Sequence, residues 1–156
     1  MTNTIQQLFT RAVGHSLRKV VASVHIFGEE RLSDAPLCLW LFFESLPGVR
    51  LFGASDGWHM EADDTPPEPV DMGDSGEIVL RDISRKSIFR QVLEQALRGA
   101  WTVESAREGG VIGVRFDFGM PLKPLVLNWG DELYIGSKYP PDAKEEELLE
   151  VPMQPS

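Results

Sequence analysis

Residues 61–77 hold seven carboxylates, Glu61, Asp63, Asp64, Glu68, Asp71, Asp74 and Glu77, with no Lys, Arg or His among them, and Pro66, Pro67 and Pro69 break the stretch. Proline fixes φ and removes a backbone donor, so this density of prolines denies the segment a helix interior or a central strand. Its charge denies it the interior of the protein. The fold must carry the segment on its surface, and a surface that gathers one sign of charge steers a partner of the opposite sign. Trp58 and Met60, the apolar residues just before it, are candidates for the desolvated anchor of such a contact. Two plainer uses compete: the carboxylates keep the protein soluble, or they stop a sheet edge from pairing further.

A chain of 156 residues has the length of one domain, able to remove roughly two-thirds of its unfolded surface from water. The expected organisation is a single α+β domain over residues 1–150 with a frayed tail over 151–156. Formal net charge is -9; residues 61–77 carry -7 and residues 131–150 carry -5, which leaves +3 for the rest. That balance disfavours nucleic acid and anionic membrane, both of which attract proteins through phosphate. The longest apolar run, residues 37–43, falls far short of the roughly 20 residues a membrane helix needs. Residues 1–7 lack the basic head and apolar stretch of a secretory signal, so a cytoplasmic location is expected. Cys38 is the sole cysteine, which rules out an internal disulfide and a thiolate metal cage, and its neighbours Leu37, Leu39 and Trp40 suit a buried thiol.

Ile5, Leu8, Phe9, Ala12 and Val13 recur at helical spacing and predict a short amphipathic helix near residues 3–13. Val20, Ala22, Val24 and Ile26 alternate with Lys19, Val21, Ser23 and His25, as in a half-buried strand. Residues 28–36 are polar and turn-rich, while residues 37–43 are apolar on both faces and predict a central strand. Glycines around Asp56 predict a hairpin loop between strands at 49–52 and 58–60, and a further strand is expected over 76–83. Ile88, Val92, Leu93, Ala96 and Leu97 fall on one stripe ended by Gly99, which predicts a second helix over 86–98. Strands at 101–106, 111–118, 125–128 and 132–135 are joined by connections too short for parallel crossovers, so an antiparallel meander follows, with Ile112, Val114, Phe116 and Phe118 on its core face. One or two helical turns are expected over 142–149. The predicted architecture is α+β: one largely antiparallel twisted sheet of roughly seven to nine strands packed by two main helices.

Nothing in the chain spells out a reaction. His15, His25 and His59 lie in different elements without a partner at ligand spacing, and there is no Gly-x-Ser-x-Gly elbow, phosphate-binding loop or dinucleotide fingerprint. Residues 71–76 lack the alternating acids and closing glutamate of a calcium loop. No metal, cofactor or catalytic residue is therefore assigned. Asp56 reads as a turn former, and His59 as a histidine whose pKa nearby carboxylates would raise.

Residues 76–84 (Gly-Glu-Ile-Val-Leu-Arg-Asp-Ile-Ser), 112–118 (Ile-Gly-Val-Arg-Phe-Asp-Phe) and 127–135 (Leu-Asn-Trp-Gly-Asp-Glu-Leu-Tyr-Ile) resemble a loosely defined group of small bacterial proteins that includes immunity proteins of polymorphic or contact-dependent toxins. The likeness covers under half of the chain and mostly encodes strands and turns, so no residue role comes with it. It implies a non-catalytic protein that neutralises a cognate basic toxin, such as a nuclease domain. An acidic surface suits that task because it speeds capture while occupying the surface that phosphate would need. The competing readings are a small-ligand-binding or housekeeping domain, with Trp40, Phe42 and Trp101 lining a pocket, and an enzyme with an unfamiliar site.

Overall fold

The computed structural model describes residues 4–27, 30–31, 36–130 and 132–153. Among the described residues one α-helix, α1 (Thr4–Ala12), precedes twelve strands: β1 (Leu17–Phe27), β2 (Glu30–Arg31), β3 (Cys38–Phe43), β4 (Val49–Gly53), β5 (Met60–Asp63), β6 (Val70–Asp71), β7 (Glu77–Asp82), β8 (Gly99–Ser105), β9 (Val111–Asp117), β10 (Leu125–Trp129), β11 (Glu132–Gly136) and β12 (Leu148–Pro152). They form two antiparallel sheets. The first has the order β5-β4-β3-β1-β7-β6, with β2 pairing the far end of β1, and the second has the order β11-β10-β9-β8-β12. Side chains of both sheets meet in one core, and α1 closes its flank against β5 and β8. The expected single sheet packed by two helices is thus corrected to a β-rich pair of sheets with one α-helix. The turn expected over residues 28–36 lies mostly outside the described residues.

The second predicted helix is where local pattern loses to tertiary pairing. Only a 3-10 turn forms, over Ile88–Val92, capped by Ser87, whose hydroxyl accepts from the Phe89 N–H. Leu93 then leaves helical geometry and residues 94–97 pair with residues 14–17: Glu94 N–H donates to Leu17 O (2.8 Å), Leu17 N–H to Gln95 O (3.0 Å) and Leu97 N–H to His15 O (3.1 Å). Val92 and Leu97 of that stripe, with Phe89 beside it, plug the core, and a mean propensity cannot outweigh that burial. Residues 148–152, read as helix and frayed tail, instead add β12 to the edge of β8.

Two bulges reset the alternation of side chains. The β1–β3 register slips between Leu17 and Lys19, so Leu17 and Val20 both enter the core. The β8–β9 register slips beside Ile112, which joins Val103, Leu125 and Leu127 on the outer face of the second sheet, while Val114 and Phe116 stay inside. Phe116 is central there, edge-on to Phe9 with centroids 5.0 Å apart and to Phe89 at 6.1 Å. Ile26, Ile78 and Leu80 are only half-buried, because the shared core ends at Ala22 along β1.

Each sheet is crossed on its outer face by its own chain. β5 and β6 sit at opposite edges, so residues 64–69 must traverse the intervening strands, a width of about 24 Å at ~4.8 Å per strand. Residues 64–69 form neither helix nor strand along this crossing. That explains the prolines, which hold φ in an extended range and need no ladder partner. The outward-facing Trp40 ties the crossing down by donating its indole N–H to Thr65 O (2.8 Å). On the second sheet, residues 137–147 pass from β11 to β12 over Val103, Ile112, Leu125 and Leu127, with Tyr139 packed on that cluster. Arg115 pins this second strap: its guanidinium donates to Ser137 O (2.9 Å), Lys123 O (3.0 Å) and Glu150 Oε2 (2.8 Å) and lies 5.4 Å from the centroid of the Tyr139 ring. Burial, then the Glu150 carboxylate that accepts its hydroxyl, push the Tyr139 phenol up to about 12.

Candidate functional site

At one end of the molecule four turns converge: the β4–β5 hairpin, the β8–β9 hairpin, the turn at Gly130 and the 3-10 turn Ala143–Glu146 of the second strap. The β4–β5 hairpin is shaped by Asp56, whose Oδ1 accepts from the Trp58 N–H (3.0 Å) and the His59 N–H (2.9 Å). Its other oxygen faces His59 Nδ1, and His59 Nε2 faces the carbonyl of Gly109 in the second sheet. Two acceptors require two ring protons, so the protonated form of His59 is the one that clasps the sheets together. The Gly109 carbonyl, followed by the Asp56 carboxylate, raises the His59 pKa above its ordinary value. The His59 N–H, followed by burial working the other way, gives Asp56 a net lowering. Gly110 has φ of 95°, and a Cβ there would lie 2.8 Å from His59 Nε2, so only glycine fits beside the clasp.

The clasp makes stability depend on pH. His59 has its pKa raised on folding, so its contribution is complete below the ordinary imidazole value of 6.5 and is lost as pH rises through the higher folded value. Asp56 has its pKa lowered, so its contribution is present above 3.8 and is lost as pH falls through the lower folded value. The pairing is complete between those two ordinary values. We expect the melting-temperature gap between the wild type and His59→Gln to be widest near about pH 5.5 and to shrink as pH rises past neutrality. A gap that stays constant from about pH 5 to 9 across a calorimetric series would refute the clasp.

Beside the clasp, Trp58 is 42 % exposed, its ring edge-on to the His59 imidazole at 6.0 Å. It lines a cavity of about 120 Å3 together with Trp129, Ile112, Asn128, Glu108 and Glu146. Asn128 forms the buried floor: its Nδ2 donates to His59 O (2.9 Å), and its Oδ1 has no partner among the described residues. Gly53 on the first sheet lies against this amide, where a Cβ would meet Nδ2 at 2.8 Å.

The other candidates from residues 58–77 do not form one patch. Glu61, Asp63 and Asp64 lie at the β5 edge, Glu68 on the crossing, and Asp71, Asp74 and Glu77 at the β6 edge. Asp63 is occupied by Arg50, whose Nε donates to its Oδ1 (2.8 Å) and whose second nitrogen meets Oδ2; that guanidinium first, and the Thr65 N–H after it, lower the Asp63 pKa. Asp71 folds back to accept from the Gly73 N–H (2.9 Å). Met60 is buried in the core and cannot serve as an anchor. Among the described residues no group of three or more His, Cys, Asp or Glu is placed to hold a metal. Of the aromatics proposed for a pocket, Trp40 is sealed beneath the crossing and Phe42 lies under the Lys19 ammonium. Glu108, Asn128, Trp129 and Glu146 come from separate stretches that only folding brings to Trp58; the one signal in the chain was Trp129 beside Gly130, an aromatic residue at a turn. Comparison with protein-family models, with curated proteins and with solved structures finds no match.

Proposed function

We propose that the protein is a non-catalytic binding module that engages a basic partner protein through the Trp58 end of the sandwich, with neutralisation of a basic toxin domain as its biological form. The observation that carries this reading is Trp58, a large aromatic side chain exposed on a hairpin that Asp56 and the His59 clasp hold rigid. A pre-ordered tryptophan costs little entropy on binding and buries a large area, the usual anchor of a protein interface. Glu108 and Glu146 at its side favour a cationic partner. The carboxylates spread along residues 61–77 contribute the long-range attraction.

The test is calorimetry between the full chain and basic proteins encoded beside it, with loss of toxin activity in the complex as the readout for the neutralising role. Trp58→Ala should weaken the complex at least about thirtyfold, the effect of a central aromatic anchor. Neutralising Asp64 and Glu68 together should slow association at low salt and leave dissociation nearly unchanged. Affinity indifferent to Trp58→Ala would reject this surface.

A further inference from the structure

We infer that the cleft lined by Lys19, Arg85, Lys86 and Arg90 binds a compact anion carrying two phosphate groups, a second site at the end of the first sheet away from Trp58. The chain carries a formal charge of -9, yet these four cations and Arg18 open onto one cavity of about 510 Å3. Leu17 pairs with Phe43 where β1 begins, and Cys38 pairs with Phe52 where β3 begins, so the cleft and the Trp58 hairpin lie at opposite ends of the sheet. Arg18 is already engaged, bridging Glu44 (2.8 Å) and Glu94. With Glu94 so occupied, the other four cations face one remaining carboxylate of the lining, Asp82. Its Oδ1 accepts from the Ser84 hydroxyl (2.6 Å) and N–H (2.9 Å). Ser84 first, and the fields of Lys19 and Arg85 after it, lower the Asp82 pKa, so this carboxylate stays ionised and offsets one positive charge. Among the described residues Lys86 and Arg90 form no salt bridge.

The fold holds these cations in place. The Ser84 hydroxyl accepts from the Val20 N–H (2.8 Å), which fastens the segment after β7 to β1. Phe89 and Val92 are fully buried and anchor the 3-10 turn that presents the exposed Arg90 between them. Like charges held on neighbouring positions repel, and a multiply charged anion relieves that repulsion. Arginine forks meet phosphate oxygens two at a time, while lysine adds a point charge on a flexible stem. The charges come from two walls, the start of β1 and the segment after β7, so two joined phosphate groups serve both better than one. Size agrees: the cleft falls within the ~300–1,000 Å3 of small-ligand sites and exceeds what a single phosphate would fill. Apart from Leu93 its lining is polar or charged, so recognition rests on charge.

The experiment is an NMR titration of the full isotope-labelled chain at low salt with pyrophosphate, against orthophosphate and citrate. Pyrophosphate should shift the backbone amides of residues 18–19 and 84–93 saturably, with a dissociation constant on the order of 0.1 mM for so small a ligand. Orthophosphate should bind at least about tenfold more weakly, and citrate, of comparable charge but built from carboxylates, at least about threefold more weakly. Arg90→Gln and Lys86→Gln, both at exposed positions, should each weaken pyrophosphate at least about fivefold. Arg81→Gln removes an exposed cation of β7 that does not line the cleft and should change affinity less than about twofold. Equal losses from Arg81→Gln and Arg90→Gln would overturn the site in favour of diffuse attraction, and orthophosphate or citrate binding as tightly as pyrophosphate would overturn the ligand class. Sedimentation of the chain with vesicles containing a phosphoinositide bisphosphate would overturn a free ligand in favour of a membrane headgroup. The inference is independent of the basic-partner reading: Trp58→Ala should leave pyrophosphate binding unchanged, and failure at either end of the sheet leaves the other standing.

Discussion

Gly113→Ala is expected to destabilise the protein by at least about 3 kcal/mol, a large fraction of the ~5–15 kcal/mol available to a domain. A Cβ at this position in β9 would sit 2.4 Å from the Val126 carbonyl oxygen and 2.5 Å from Leu127 Cδ2. The first of these atoms is backbone in the neighbouring strand, paired in register with β9, so it cannot step aside without opening the β9–β10 ladder. Gly99, at the start of β8, supplies the control, since a Cβ there meets nothing within 4 Å. Gly99→Ala should be neutral or stabilise by about 0.4–1 kcal/mol through the unfolded state. Urea unfolding of both variants tests the contrast, and comparable stabilities for the two would mean that β9 and β10 do not approach as described.

Arg115→Ala should cost about 2–3 kcal/mol, below the 3–5 kcal/mol of a sealed ion pair because the Arg115 and Glu150 side chains keep 14 % and 29 % exposure. The loss extends beyond the pair: the Ser137 and Lys123 carbonyls lose this donor, and Glu150 is left with the Tyr139 hydroxyl among the described residues. Arg115→Lys should recover little, because one ammonium cannot reach acceptors that the fork meets in different directions. The diagnostic readout is amide exchange, which should accelerate over residues 137–147 well before the rest of the second sheet. Uniform acceleration across both sheets would show that Arg115 supports the whole fold and not the strap.

Four strands of the second sheet, β8 to β11, could be read from the sequence because each is bounded by its own turn residues and the connections are short, whereas β12 was taken for helix and tail. The first helix was legible because α1 buries Ile5, Leu8, Phe9 and Ala12 on one face. What local pattern could not supply was partner choice. Residues 94–97 satisfy their backbone by pairing with residues 14–17, a decision taken about eighty positions away in the chain. The two bulges were likewise invisible, since nothing in the identity of Leu17 or Ile112 announces an extra residue in a ladder. Trp58 was identified as a candidate anchor, but its neighbours in the cavity are distant in sequence, and Met60, equally apolar and two residues on, turned inward because β5 alternates.

The fastening of residues 64–69 has a consequence for how anything could dock on that face. The segment is tied to β5 before it, to the Trp40 indole through Thr65 and to β6 after it, so it behaves like a cord knotted along its length. Complementarity on that side has to be supplied by the visitor.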